Sequence, residues 1–186
     1  PTLLISPLLS LMRNQILAAE RLGIRAVTIH SENVEDWGQV QGALAANRVD
    51  VLMVSPERLG NADFLQKLLP LIQGKIGMFA VDEAHCISDW GHEFRPDYRR
   101  IVRVLQALPG NVPVLATTAT ANDRVVEDVI SQLGHDITLV RGPLVRDSLK
   151  LQNITMDSPA ARMAWLAQTI PLLPGSGIVY TLTQRD

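Results

Sequence analysis

Cysteine occurs once in the 186 residues, as Cys86, so neither a disulfide nor a C-x-x-C zinc pair can form within the chain. That usage suits a reducing compartment, and the expected localisation is cytoplasmic, nucleoid-associated if the source is bacterial. Aromatic residues are scarce at 4%, so a place where several gather needs a reason. Positive charge shows no excess: 17 Lys and Arg stand against 19 Asp and Glu, a formal net charge of -2. Binding to a polyanion must then come from local placement, since no global field would draw it in. No apolar run approaches the roughly 20 residues that cross a bilayer, so no membrane partner is expected. The opening PTLLISPLLSLM lacks a basic leader and a small-residue cleavage site, and it does not start with Met. It reads as a buried strand, and GIVYTLTQRD at the other end reads as another. Both ends are expected to continue into further sequence.

What is present is a globular balance, 47% hydrophobic and 19% charged. Short apolar runs at 2–6, 25–30, 50–55, 76–82, 112–118 and 137–140 alternate with helix-period stretches at 8–22, 34–46, 62–71, 97–108 and 125–133. Gly23 is placed to end the first helix. Segment 76–82 (IGMFAVD) is apolar on both faces, as a central parallel strand must be. The alternation predicts an α/β fold, a parallel sheet flanked by helices. Ligands of such sheets bind beyond the carboxyl ends of the strands, here just after Ser6, Ser55, Val81 and Ala116. Past Arg141 the pattern changes to a strand-like run at 149–156, a helix at 160–170 and a strand at 177–181. The expected organisation is a first domain over 1–142, a connection over 143–157 and the start of a second α/β domain over 158–186.

The strongest motif is VDEAHC, residues 81–86, at the end of the buried strand. Unpaired buried charge is costly, so adjacent carboxylates there call for a cation. Magnesium takes one or two carboxylates together with phosphate oxygens. Asp82 is therefore read as the magnesium ligand, with Glu83 nearby to orient and deprotonate an attacking water. The bland alternative is an Asp-Glu pair facing solvent at a strand end. A zinc site from His85, Cys86 and His92 fits no standard ligand spacing, and Pro96 occupies the place of the second His of an H-E-x-x-H pattern.

The segment SDWGHEFRPDYRR gathers Trp90, Phe94 and Tyr98 among Arg95, Arg99 and Arg100. Gly91 and Pro96 work against one continuous helix there. Aromatics interleaved with cations suit single-stranded nucleic acid, bases stacking and phosphates meeting Arg. Tyr98 is the exception, since its register with Ile101 and Leu105 places it in the core. ATTATA, residues 116–121, offers hydroxyls and small side chains one strand after the acidic motif, although Asn122 or Asp123 there could simply cap a helix. Ser6-Pro7 and Ser55-Pro56 each follow a strand and can open a helix whose free N–H groups suit a phosphate.

In this order the segments resemble RecQ-family helicases of superfamily 2: SPLLSLM their motif Ia, VSPERL motif Ib, VDEAHCISDWGHEFRPDY motif II with its aromatic loop, LATTATA motif III, and GIVYTLT the start of motif IV. The resemblance implies a RecA-like helicase lobe of the P-loop NTPase class followed by the start of a second. It also implies ATP and Mg2+ as cofactors, single-stranded and duplex DNA as partners, and unwinding in the 3′-to-5′ direction. It assigns Asp82, Glu83 and His85 to catalysis, and Thr118 and Thr120 to coupling the nucleotide to DNA. Trp90, His92, Phe94 and Arg95 would sense DNA, with Pro7, Ser55 and Arg58 near its backbone. The G-x-x-x-x-G-K-[ST] phosphate loop does not occur in the 186 residues, and any Zn2+ site would lie outside them. The alternatives are a related ATPase acting on RNA or remodelling a protein–nucleic-acid complex, and a module that only binds nucleic acid.

Overall fold

The computed structural model describes residues 1–88, 96–134, 137–142 and 148–181. The chain forms two compact units, Pro1–Arg141 and Gly142–Asp186.

The first unit is built on five parallel strands: β1 (Thr2–Ile5), β2 (Ala26–Ile29), β3 (Val51–Val54), β4 (Met78–Val81) and β5 (Val114–Ala116). Their order is β2-β3-β1-β4-β5. The strands are almost wholly apolar, and Leu3, Ile5, Leu52, Val54, Phe79 and Val81 bury completely or nearly so. β1 is the central strand, between β3 and β4, with Ile5 opposite Val54 on one side and Val81 on the other. Helices α1 (Leu9–Arg21), α2 (Trp37–Ala45), α3 (Leu69–Ile72), α4 (Arg99–Ala107) and α5 (Asp123–Leu133) flank this sheet. Their apolar stripes join the strands in one core, with Leu44, Ile72, Ile101 and Val129 among its members. Gly23 ends α1 with φ +73, and Asn122 caps α5, its Oδ1 accepting from the Val125 N–H at 3.0 Å.

Where the elements depart from expectation, the backbone gives the reason. The helix expected over 34–46 starts as a 3₁₀ turn, Ser31–Asp36, because His30 caps it. Nδ1 of His30 accepts from the Glu32 N–H at 3.2 Å, and Asn33 Oδ1 accepts from the His30 N–H at 2.9 Å. The helix expected over 62–71 widens into a π turn at Phe64–Leu68, just before Pro70, which lacks the N–H that regular α spacing requires. The strand expected over 137–140 joins no ladder among the described residues. That segment shares with β5 and α5 the lining of a cavity of about 380 Å3, bounded by Leu115, Val126, Ile130, Ile137 and Leu139, and Ile137 packs against the core.

The second unit contains α6 (Pro159–Thr169) and a 3₁₀ turn, Ile170–Leu172. Ser158 caps α6 by accepting from the Ala161 N–H at 3.1 Å, and Pro159 fills the first turn where no donor is missed. The runs at 149–156 and 177–181 form no β ladder among the described residues, and Leu151 and Tyr180 are exposed. A strand pattern needs a neighbouring strand to become a strand, and this unit supplies none there. No helix among the described residues is long and apolar enough to cross a membrane.

Candidate functional site

Register alone sets the site. Val81 of β4 lies opposite Ile5 of β1 and Ala116 of β5, so the next residues of each strand, Asp82, Ser6 and Thr117, meet on the carboxyl rim. Backbone bonds extend the ladder beyond the strands: the Asp82 N–H donates to Ile5 O at 2.8 Å and the Thr117 N–H to Val81 O at 2.9 Å. The Asp82 carboxylate is then held in place. Oδ1 accepts from the Thr117 hydroxyl and the Glu83 N–H, both at 3.0 Å, and Oδ2 lies 3.5 Å from the Ser6 hydroxyl. The fully buried Tyr98 donates its hydroxyl to the Asp82 carbonyl at 3.1 Å, clamping the residue from the core side.

Glu83 takes φ 51 and ψ 45, the left-handed region that a residue with a Cβ seldom occupies. Such a conformation costs on the order of 1–3 kcal/mol and collects at functional positions. Here it breaks the strand in one residue and starts the buried 3₁₀ turn Ala84–Ile87. His85 on that turn is buried, with Nδ1 3.2 Å from Glu83 Oε2 and 3.0 Å from Thr118 Oγ1. Nδ1 thus sits between a carboxylate oxygen and a hydroxyl oxygen. Thr118 Oγ1 also accepts from the Thr120 N–H at 3.3 Å. Glu83, His85, Thr118 and Thr120 thus form one chain of contacts joining the turn after β4 to the turn after β5. Cys86 Sγ is 3.7 Å from His85 Nε2, the other side of the same ring.

Among the described residues neither Asp82 nor Glu83 pairs with a Lys or Arg. The donor set is hard oxygen throughout: two carboxylates and the hydroxyls of Ser6 and Thr117. No group of three His, Cys, Asp or Glu side chains forms a closed metal cage among the described residues. A cation satisfied by one or two carboxylates plus substrate oxygens fits this set, and magnesium on a nucleotide is such a cation.

The other half of the rim, beyond β1, β2 and β3, carries Arg13, His30 and Arg58 alongside Glu32 and Asp36. Pro7 is half-buried after β1, and Ser55 after β3 is buried, its N–H donating to Ile29 O at 3.2 Å. Arg58 leaves the 3₁₀ turn Pro56–Gly60, and its guanidinium lies over the Trp37 ring, 5.7 Å from the centroid. Arg13 of α1 donates to Glu32 at 3.0 Å. His30 is held below its ordinary pKa, by burial first; Arg13 and Arg58 add to this, while Glu32 and Asp36 oppose it. Sequence reasoning missed Arg13, His30, Trp37 and the hydroxyl role of Tyr98. His30 had a usable signal, since it ends a predicted strand on the expected rim. Trp90, His92, Phe94 and Arg95 lie outside the described residues.

A protein-family model described as DEAD/DEAH box helicase matches residues 1–129. The chain belongs to this family. An ATP-dependent DNA helicase RecQ of Bacillus subtilis (strain 168) is 40% identical over 135 residues, 71% of this chain and 22% of that protein. A protein of Acanthamoeba polyphaga mimivirus, R290, described as an ATP-dependent RNA helicase, is 42% identical over 190 residues, 100% of this chain and 33% of its own length. The chain therefore spans between about a fifth and a third of these relatives. Among solved structures, Mss116p bound to ssRNA and AMP-PNP matches 72% of this chain and 27% of its own, with a TM-score of 0.54 and 16% identity. That likeness is one of fold.

Proposed function

We propose that the complete protein is an ATP-dependent DNA helicase of the RecQ type, moving 3′ to 5′ on single-stranded DNA, with this chain supplying part of its motor. The second unit, in this reading, begins a second RecA-like lobe, joined to the first by the connection over 143–157. The observation that carries the proposal is the rim after β4, where Asp82 is fixed by Thr117 and the Glu83 backbone while Glu83 is linked through His85 to Thr118. Asp82 would hold Mg2+ on the nucleotide, and the ion would neutralise charge developing on the transferred phosphoryl group. Glu83, free of any Lys or Arg partner among the described residues, would orient water and take its proton. The rim carrying Pro7, Ser55 and Arg58, with the segment of Trp90, His92, Phe94 and Arg95, would receive the DNA strand.

The test is Glu83→Gln in the complete protein. The amide keeps the shape but takes no proton, so ATP and magnesium should bind as before while kcat falls by roughly 10²–10⁴. Turnover within a few-fold of the parent would remove Glu83 as the base. The mimivirus relative favours a second reading, in which the strand is RNA. ATPase stimulation by single-stranded DNA and RNA of equal length separates the two, and preferential stimulation by RNA would replace the DNA reading.

A further inference from the structure

Arg13, His30 and Arg58 lie together on the rim beyond β1, β2 and β3, beside Glu32 and Asp36, and they are not equivalent. Arg13 is engaged by Glu32. His30 spends Nδ1 as an acceptor in its own cap. The Arg58 side chain has no hydrogen bond or ion pair among the described residues, and its buried Nε has no partner there. What holds Arg58 is the face of Trp37, with the guanidinium carbon 5.7 Å from the ring centroid. The difference from a carboxylate partner is chemical. A carboxylate would consume the in-plane N–H donors of the guanidinium, whereas a ring attracts the charge through its face and leaves those donors available.

The ring is itself fixed. Its Nε1–H donates to Asn33 Oδ1 at 3.3 Å, and the Asn33 amide is pinned by the His30 N–H and by Thr28 O at 2.7 Å. Trp37 opens α2, whose Val40 and Leu44 are buried in the core. The same geometry argues against Trp37 as a base-stacking platform on this face, because Arg58 already covers it.

We propose that Trp37 is a positioning residue, holding the Arg58 guanidinium so that its free donors meet one phosphate of a single-stranded nucleic-acid backbone. The proposal rests on the reading of this rim as the strand-binding surface.

The experiment measures the affinity of the complete protein for oligo(dT) across a salt series. Each single-strand phosphate contact contributes about 0.7 to the slope of log K against log salt. Arg58→Ala should lower the slope by about that amount, Trp37→Leu by the same amount, and the double variant no further, while Trp37→Phe stays near the parent. Additive losses, or an unchanged slope in folded Trp37→Leu, would overturn the positioning role and leave the strand-binding surface standing. An Arg58→Ala protein with the parent slope would instead refute the contact itself. Fluorinated tryptophan incorporated at position 37 alone weakens that ring face without changing its shape, and so guards against a Leu variant that fails to fold. Affinity should fall with fluorination in the parent but not in Arg58→Ala; an equal fall in both would reject the proposal.

Discussion

Tyr98 shows how one side chain can serve both core and site. Its register with Ile101 and Leu105 predicts burial, and it is fully buried. Its hydroxyl reaches the carbonyl of Asp82, sixteen residues earlier in the chain, a partner that no local pattern reveals. Removing that hydroxyl leaves a buried carbonyl short of a donor. Tyr98→Phe should therefore preserve packing while lowering stability by about 0.5–1.5 kcal/mol, read from urea midpoints at constant m. A neutral result would mean that another donor satisfies the Asp82 carbonyl. The acidic pair itself was legible, since Asp-Glu at the end of an apolar strand has few inexpensive explanations. The left-handed backbone at Glu83 was not, because a residue of that type gives no signal for it.

At the scale of elements, the five strands of the sheet were readable because buried parallel strands are continuous apolar runs. The sixth run, at 137–140, has the same composition and forms no ladder among the described residues, so apolar character marks a strand without guaranteeing its partner. Capping was read less evenly. Asn122 belongs to the residues that cap helices and is one of two capping candidates the sequence offers, with Asp123, whereas His30 caps through a ring nitrogen and gives no such signal. That cap has a pH consequence. The accepting Nδ1 must be unprotonated, and burial holds His30 below its usual value near 6.5. The unfolded chain thus binds the proton first, so the cap's contribution is complete above the ordinary His range. It is lost as pH falls through the lowered folded value. His30→Asn keeps a capping acceptor without a titrating group. Compared with the parent by urea unfolding, it should lose less stability between pH 7.5 and pH 5, and parallel losses would show that His30 does not titrate in this way.

For the molecule as a whole, the carboxyl rim was legible in advance because parallel α/β sheets place their ligands there, and Ser6, Asp82 and Thr117 do meet at it. The contact between His85 and Thr118, 33 residues apart, could be anticipated only through the family resemblance, which implies that these residues couple nucleotide to DNA. Its form suggests how hydrolysis and movement could be tied together. A shift of the turn after β5 displaces Thr118 Oγ1, and the His85 ring, shared with Glu83, must follow or give up one of its partners. Thr118→Val keeps the side-chain shape and removes the oxygen that His85 contacts. In the complete protein this variant should unwind fewer base pairs per ATP hydrolysed than the parent, measured by following phosphate release and strand separation in the same reaction. A variant in which both rates fall with their ratio preserved would place Thr118 in the chemistry alone. A ratio that drops would identify the His85–Thr118 contact as the point where one strand's turn reports to the next.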